Sequence, residues 1–344
     1  MYLVAVDRVT VVHGGDVFAV ARAQGWDWRE VLDFSANINP LGPSPQVRAA
    51  ILAAVERIVH YPEREPARLV EALARTWGLD EPQLLVGNGA TELIFFLARV
   101  AGAMPVTLAL PVFSEFHRAF PKARLADLVD PSTWPREGLL VLTRPANPTG
   151  WTLPVETLRD YLDSTAASVL VDESFLEFSG LPSAAAMLGQ HPRLMVLRSL
   201  TKLYALPGLR VGALVGAADA VRCWKKEREP WQVNVLAEEG ALAAIGDTEH
   251  SDRSLEFVRG ERAWLVEQIG RLPAAEALPS DANFVCVRLD YPAGKLCEHL
   301  LRRKILIRDC AGWPGVKGDV VRVAVRRREE NERLLEVWRE FKCD

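Results

Sequence analysis

The sequence is poor in cysteine and histidine, with five and six of them among 344 residues. No two cysteines form a CxxC pair, and no histidines cluster at metal-ligand spacing, which argues against a disulfide framework and a zinc site. We therefore expect no metal. The same cysteine usage is typical of a protein of the reducing cytoplasm.

An excess of charge of one sign is also absent. Lysine and arginine number 41 and aspartate and glutamate number 45, so the formal net charge is −4. Such a chain offers no broad cationic surface to nucleic acid or to an anionic membrane, and neither is expected as a partner. A few local arginines still suffice to hold a small anionic ligand.

Hydrophobic runs long enough to cross a membrane are missing as well. The most apolar stretch, 93–113, contains Arg99, Gly102 and Pro105, which divide it into a helix and a strand that a globular core would bury. Neither the dinucleotide fingerprint GxGxxG nor the phosphate loop GxxxxGK[ST] is present. What remains is an ordinary globular composition, 49% apolar and 25% charged, at a length that indicates two domains.

Short apolar runs alternate with helical stretches through the first two thirds of the chain. Continuous Val/Leu runs bounded by Pro, Gly or polar turns are typical of strands buried on both faces, and the helical stretches between them suit crossovers. The predicted fold class is α/β, with a large domain whose mostly parallel sheet is sandwiched by helices. The predicted strands are 106–110, 139–143, 168–172, 194–199 and 209–215, and the predicted helices are 46–58, 66–77, 91–101, 154–162 and 234–245.

The pattern changes after about residue 230. A long helical stretch, 250–271, precedes short strands and a final amphipathic helix, 329–341, which is typical of a smaller α+β domain. The segment 33–45, rich in Asn, Pro and Ser, predicts an ordered loop. The short strands are predicted at 283–289, 304–308 and 319–326. The predicted domains are an N-terminal arm over 1–45, a large domain over 46–230 and a small domain over 231–344.

Lys202 is the first candidate for chemistry. It follows the predicted strand 194–199, and Ser199, Thr201 and Arg210 stand close to it in the chain. A lysine in a loop is normally solvated, whereas a desolvated lysine has a lowered pKa and forms Schiff bases. The hydroxyls and the guanidinium suit a phosphate. Both interpretations of this cluster stay open when it is considered alone.

Asp172 ends the predicted strand 168–172, and Asn147 follows the predicted strand 139–143. The carboxyl ends of the strands in an open α/β sheet face the ligand crevice. Asp172 alone is as well explained as a turn acid or a helix cap, and Asn147, in RPANPTG, as a turn residue. In the crevice, Asp172 would pair with a protonated ring nitrogen and Asn147 would hydrogen-bond a ring hydroxyl.

Residues 87–92, GNGATE, precede an apolar helix. The backbone N–H groups of Gly89, Ala90 and Thr91 at the helix start would form an anion site. Phe113 follows the next strand, where an aromatic either packs in the core or stacks on a ring. Taken in chain order, these residues supply an anion cradle, a stacking face, two ring partners and an amine, which are the groups that a phosphorylated aldehyde cofactor needs.

In its NPTG turn, its VDE strand end and its SLTK…GLRVG block, the chain resembles the fold-type-I pyridoxal 5'-phosphate (PLP) enzymes of the class I/II aminotransferase superfamily, over nearly its whole length. The resemblance implies that Lys202 is the Schiff-base lysine, that Asp172 pairs with the pyridine nitrogen and that Asn147 meets the ring hydroxyl. It also implies a homodimer in which Tyr61 reaches the cofactor phosphate of the neighbouring subunit. By the same resemblance Phe113 stacks on the ring, and the phosphate ligands are Gly89, Ala90, Thr91, Ser199, Thr201 and Arg210.

Two branches of the superfamily share further motifs with the chain. HGG, DFSANINPLG and ILIRDCAGWPG resemble the threonine-phosphate decarboxylases of cobalamin biosynthesis, and Phe175 stands where many histidinol-phosphate aminotransferases carry a tyrosine. Ala146 departs from the usual asparagine of NNPTG, and Asp16 from the asparagine common after HGG. The implied reaction is decarboxylation of L-threonine O-3-phosphate to (R)-1-amino-2-propanol O-2-phosphate, with a histidinol-phosphate (or related amino acid) aminotransferase as the alternative.

Both branches act on small amino-acid-like substrates that carry a phosphate. By resemblance, Arg322 binds the substrate carboxylate and Arg308 is a second substrate arginine, although each is also explained as an exposed strand charge. The residues do not by themselves decide between loss of CO₂ and transamination. A PLP-binding regulator without turnover is a third alternative, disfavoured by the presence of the lysine and both arginines. The predicted substrate contacts are His13, Ser35, Asn37, Asn147, Arg308 and Arg322.

Overall fold

The structure, a computed structural model, describes residues 14–342, so that His13 lies outside the described residues. Contacts divide the chain into two compact units, which we call the larger and the smaller unit. The larger unit comprises 38–260 and 279–283, and the smaller comprises 1–37, 261–278 and 284–344. The domain boundaries predicted from the sequence stay a prediction.

The described residues form helices and strands in alternation over much of their length. The helices are α1 (Val17–Gln24), α2 (Pro45–Ala54), α3 (Ala67–Trp77), α4 (Gly89–Ala101), α5 (Ser114–Ala119), α6 (Val155–Ser164), α7 (Ala218–Lys226), α8 (Val235–Gly246), α9 (Thr248–Ile269), α10 (Ala293–Leu301) and α11 (Arg328–Glu340). The strands are β1 (Leu32–Asp33), β2 (Leu84–Gly87), β3 (Val106–Leu110), β4 (Arg124–Asp127), β5 (Leu139–Thr143), β6 (Ser168–Asp172), β7 (Leu194–Ser199), β8 (Gly212–Val215), β9 (Ala275–Ala277), β10 (Phe284–Leu289), β11 (Ile305–Leu306), β12 (Arg308–Asp309) and β13 (Asp319–Ala324).

A seven-stranded sheet forms the centre of the larger unit, in the order β2-β8-β7-β6-β5-β3-β4. Within the described residues, the strands from β7 to β4 pair in parallel, and β8 runs antiparallel to both of its neighbours. The prediction of a mostly parallel sheet flanked by helices is confirmed.

Both faces of this sheet are buried. Leu140 and Leu142 of β5 belong to one core cluster with Val169, whereas Val141 belongs to another with Leu170. Successive side chains of a strand point to opposite faces, so a continuous apolar run needs helices on both sides. The layered fold follows from these runs, and it leaves the strand ends as the place where polar side chains gather.

The predicted strands at 106–110, 139–143, 168–172 and 194–199 coincide with β3, β5, β6 and β7. The prediction of a strand over 209–215 is wrong at its start, because Arg210 has a φ of 61° and the extended backbone begins only with β8. The strands β2 and β4 were not predicted, since four residues are too few to show a period.

The smaller unit contains an antiparallel sheet in the order β12-β13-β10-β9 and a short parallel pair, β1 with β11. The strands predicted in this part of the chain appear as β10, as β11 with β12, and as β13. The final amphipathic helix is α11, and its apolar face is buried through Leu334, Leu335, Val337 and Trp338.

Three further features bear on the sequence-based expectations. No helix within residues 14–342 combines the length and the apolar character that crossing a membrane requires. The same residues contain no group of three or more His, Cys, Asp or Glu side chains placed to hold a metal ion. The described cysteines, all with free thiols, are Cys223, Cys286, Cys297 and Cys310.

Candidate active site

Most of the predicted cofactor residues line one cavity of the larger unit. They come from segments that follow β3, β5, β6 and β7, whose carboxyl ends meet at one edge of the sheet because these strands are parallel. The start of α4 completes the lining. The residues that line the cavity are Ala90, Thr91, Ile94, Phe113, Thr143, Pro145, Asn147, Asp172, Ser174, Phe175, Ser199, Thr201, Lys202 and Arg210.

One end of this cavity is suited to an anion. The first N–H groups of α4 have no acceptor within the helix, and a Cβ at Gly89 would lie 2.6 Å from a guanidinium nitrogen of Arg210. A Cβ at Gly212 would lie 2.8 Å from the amide nitrogen of Ala90. Because neither glycine has a side chain, the guanidinium and β8 approach the helix start closely. Backbone N–H groups and a cation therefore converge there, as phosphate binding requires.

Two hydroxyls lie at the end of β7, next to Lys202 in the chain. Ser199 Oγ and Thr201 Oγ1 are 2.8 Å apart, and both side chains are buried. Hydroxyls that hydrogen-bond each other are able to turn their protons toward an incoming anion. They extend the anion end of the cavity toward the lysine.

Asp172 is a buried carboxylate at the end of β6, and it accepts hydrogen bonds from Ser174. The backbone N–H of Ser174 lies 2.9 Å and its hydroxyl 2.5 Å from Asp172 Oδ1. Burial raises the pKa of the Asp172 carboxyl, while the two hydrogen bonds and the charge of Lys202 act to lower it. An acid in this position is stabilised as a carboxylate when a cationic group, such as a protonated ring nitrogen, is brought to it.

Lys202 occupies a turn that other segments of the larger unit hold in place. Its carbonyl accepts the backbone N–H of Asn39 at 3.1 Å, and Asn39 Nδ2 donates to Leu203 O and to Ser254 Oγ, each at 2.8 Å. The Lys202 ammonium lies 5.7 Å from the centre of the Phe175 ring. The amine thus lines the cavity on a turn whose backbone is hydrogen-bonded to distant segments of the larger unit.

Tyr61 does not line this cavity. Its side chain is 83% exposed, and its ring centre lies 5.0 Å from that of Trp231. Gly89 adjoins the cavity through Arg210, and the other predicted cofactor residues line it. The structure therefore brings together every predicted cofactor residue except the tyrosine.

The predicted substrate residues Ser35, Asn37, Arg308 and Arg322 belong to the smaller unit. Arg322 is buried on β13, and its guanidinium donates to Ser35 O at 2.7 Å. Arg308 on β12 is its directly opposite neighbour in the sheet. Burial lowers the pKa of Arg322 to about 10, and the charge of Arg308 acts in the same direction. Two cations side by side repel each other, and an anion bound to them would remove that cost.

Residues close to Arg322 in the smaller unit are packed tightly around it. A Cβ at Gly14 would lie 2.1 Å from Ser35 O and 3.0 Å from a guanidinium nitrogen of Arg322, so that only glycine fits. The Ser35 hydroxyl donates to Asp33 Oδ1 and accepts the Gly15 N–H. Gly14, Gly15 and the start of the 33–45 loop are therefore parts of one arrangement around this arginine.

Two functional neighbours were missed from the sequence. Ser174 was not predicted, although a serine two residues after an aspartate at a strand end is a recognised turn pattern in which the carboxylate accepts the serine N–H. Asn39 was not predicted either. Its Oδ1 accepts the Leu41 N–H in a local turn, but the partners of its Nδ2, which hold the lysine turn, are more than 160 residues away.

The donor set of the cavity fits PLP. The anion end supplies N–H groups, hydroxyls and a guanidinium for a phosphate ester, and the buried Asp172 supplies a carboxylate for a pyridinium. Phe113 offers an aromatic face, and Lys202 offers a primary amine for the aldehyde. The glycine positions leave space where a side chain would have filled the cradle.

Comparisons with known proteins agree with this geometry. The chain is 33% identical to the threonine-phosphate decarboxylase of Salmonella typhimurium, over 95% of each chain. It is 34% identical to histidinol-phosphate aminotransferase 2 of Archaeoglobus fulgidus, over 91% of this chain and 94% of that one. The histidinol-phosphate aminotransferase of Sinorhizobium meliloti, solved in complex with PLP, has the same fold, with a TM-score of 0.83, 22% identity and coverage of 94% and 93%.

The family model for aminotransferases of class I and II matches residues 29–337. That range includes every element of the larger unit's sheet and most of the smaller unit. The chain therefore belongs to the class I and II aminotransferase family, whose members depend on pyridoxal 5'-phosphate.

Proposed function

We propose that this protein is a PLP-dependent carboxy-lyase that converts L-threonine O-3-phosphate to (R)-1-amino-2-propanol O-2-phosphate in cobalamin biosynthesis. The observation that carries the proposal is the pair of facing arginines in the smaller unit, Arg308 and Arg322, because this substrate has both a carboxylate and a phosphate. The identity to the decarboxylase of Salmonella typhimurium over 95% of both chains supports the same choice. We further propose that this protein works in the reducing cytoplasm, a compartment that suits the free cysteines of this chain.

In this proposal the larger unit holds the cofactor. The α4 start, Ser199, Thr201 and Arg210 bind its phosphate, and Lys202 binds its aldehyde. Asp172 faces the ring nitrogen and Asn147 the ring hydroxyl, while Phe113 stacks on the ring. Phe175, which lies against the Lys202 ammonium, adds an apolar wall beside the amine.

Bound PLP supplies an electron sink for the pair of electrons released at the substrate Cα. Arg322 binds the substrate carboxylate, and Arg308 binds the second anionic group. When the bond from Cα to the carboxylate breaks, CO₂ leaves, and a proton from Lys202 Nζ adds to Cα in its place. Asp172 would stabilise positive charge on the ring nitrogen that it faces.

The alternative is an aminotransferase that acts on histidinol phosphate or a related amino acid. It is supported by the 34% identity to the Archaeoglobus fulgidus enzyme. In that reaction Lys202 removes the Cα proton and the amino group passes to a keto acid. Phe175 favours the lyase over this alternative, since many histidinol-phosphate aminotransferases carry a tyrosine there.

A substrate assay separates the two reactions. We expect the holoenzyme to release CO₂ from L-threonine phosphate with no keto acid present, because decarboxylation needs no amino-group acceptor. The measurement is CO₂ evolution, with L-threonine as the control that lacks the phosphate. Turnover of histidinol phosphate that strictly requires 2-oxoglutarate would contradict the lyase, and PLP binding without turnover of any amine would point to a regulator.

We also propose that the protein is a homodimer in which Tyr61 reaches the cofactor phosphate of the neighbouring subunit. Tyr61 stands among exposed apolar side chains of the larger unit, including Ile58 at 60%, Val59 at 77% and Trp231 at 46% exposure. An exposed apolar group of this kind is typical of a protein interface. We expect sedimentation equilibrium to give twice the chain mass of 38.1 kDa; a stable monomer with full activity would contradict the proposal.

A further inference from the structure

A buried ion pair lies directly behind the cavity. Arg144 follows β5 and Glu173 follows β6, and their side chains are 1% and 0% exposed. The residues just before them, Thr143 and Asp172, line the cavity. Because successive side chains in an extended chain point to opposite sides, the pair lies on the far side of the strand ends from the cavity.

The Arg144 guanidinium joins three segments. Its Nε donates to Leu153 O at 2.9 Å, and one terminal nitrogen donates to Pro182 O at 2.8 Å and to Glu173 Oε1 at 3.5 Å. Leu153 lies beyond the turn that carries Asn147. That turn is closed by a hydrogen bond that the Ala146 N–H donates to a backbone carbonyl just after the turn. The planar fork of the guanidinium is suited to such simultaneous contacts.

Glu173 completes the link from the other strand. Its Oε1 accepts the Ala184 N–H at 2.8 Å, and its Oε2 accepts the Ser183 hydroxyl. Its own backbone N–H donates to Leu197 O of β7, while the Arg144 N–H donates to Asp172 O at 2.8 Å. The ends of three neighbouring strands are thus tied together at the level of the ring-facing side chains.

Stability alone does not account for a charged pair at this position. Burial raises the pKa of Glu173 and lowers that of Arg144, so that each charge is carried at a desolvation cost that its partners offset. Replacing a buried ion pair by well-packed hydrophobic side chains of similar volume is often neutral or stabilising. A neutral pair would not reproduce the three hydrogen bonds that the guanidinium donates to separate segments.

We propose that Arg144 and Glu173 are positioning residues, which hold Asp172 and Asn147 at the geometry that fixes the PLP ring. The inference rests on the proposed roles of Asp172 and Asn147 toward the ring. Neither member of the pair contacts the reacting atoms. Both act through the strand end and the turn to which they are bonded.

The test uses the single variant Glu173→Gln and the apolar double variant Arg144→Met/Glu173→Leu. The single variant leaves the guanidinium buried without its counter-charge, so its melting temperature falls, and the neutral double variant regains it. At saturating PLP, we expect the visible circular dichroism of the cofactor bound to the double variant to differ from that of the unchanged protein. Its kcat falls about 10-fold or more while KM changes less than about twofold, because misplacement of an ångström or less slows chemistry without weakening substrate binding.

Two further variants make the result decisive. Arg144→Lys keeps the charge and loses the fork, so we expect it to fold and to show the same change in circular dichroism. Glu261→Gln is the matched control, since Glu261 is a buried carboxylate of the smaller unit that accepts hydrogen bonds from Arg328 and Asn331. It should lose thermal stability and keep the cofactor signal.

A double variant that regains both thermal stability and the native cofactor signal would overturn the proposal and leave the pair a structural one. A folded Arg144→Lys with native circular dichroism and kcat would overturn it as well. Asp172→Asn separates this failure from that of the proposed function. If Asp172→Asn changes the cofactor signal and the pair variants do not, only the positioning role fails; if Asp172→Asn has no effect, the assignment of the ring partner fails.

Discussion

Lys202→Ala is expected to abolish turnover and the covalent bond between protein and cofactor. Lys202 is the amine that the cavity offers to the aldehyde and the proposed proton donor to Cα, and proton transfer alone contributes about 10²–10⁴-fold to a rate. PLP should still bind without a covalent bond, because the α4 start, Arg210 and Asp172 remain. Loss of activity would then not reflect loss of the fold.

The covalent bond is measured directly by borohydride reduction of the holoenzyme followed by peptide mass spectrometry. We expect the adduct on the peptide that contains Lys202, and none in the alanine variant. Lys226→Ala, at the exposed end of α7, is the control and should keep both the adduct and the activity. An adduct on a different lysine, or near-normal turnover by Lys202→Ala, would remove the central assignment.

Arg322→Ala is expected to lower kcat/KM for a phosphorylated amino acid by about 30- to 1,000-fold, which corresponds to about 2–4 kcal/mol. The loss follows from leaving the substrate carboxylate without its buried cationic partner. Arg322→Lys should recover only part of it, since an ammonium does not bind a carboxylate through two parallel hydrogen bonds. Steady-state kinetics of both variants at saturating PLP measure the effect.

Because Arg322 also donates to Ser35 O, its removal is expected to cost some stability in the smaller unit. Melting temperatures of the variants separate this effect from substrate binding. Arg288→Ala is the matched control, as Arg288 lies on the neighbouring strand β10, is about half exposed and pairs with Glu276. An unchanged kcat/KM in Arg322→Ala would show that the substrate carboxylate binds elsewhere.

Much of the larger unit could be predicted because its strands are uniform in character. The run LLVLT is apolar up to its final threonine, and it becomes a strand buried on both faces with the predicted bounds. The antiparallel direction of β8 could not be predicted, since direction depends on how the chain turns back after Lys202 and on the left-handed backbone at Arg210. Short strands such as β2 lack the length for a recognisable pattern.

The candidate site likewise contains residues that the sequence predicted and residues that it did not. Asp172 and Lys202 were predicted because Asp172 ends one strongly apolar strand, Lys202 comes shortly after another, and both match a superfamily motif. The role of Ser174 toward Asp172 has a local turn signal that the prediction overlooked, whereas that of Asn39 under the lysine turn depends on a contact 164 residues away. The roles proposed for the individual residues toward cofactor and substrate stay predictions for the experiments above.

The sequence by itself determined the class of fold, the family and the dependence on PLP, because apolar periodicity and a few motif residues act locally along the chain. Tertiary structure decided which side chains share a cavity, which strand runs backwards and which charges are buried together. The pair of Arg144 and Glu173 shows the reason. Two residues 29 positions apart meet only after their strands pair, and burial then makes their contact obligatory.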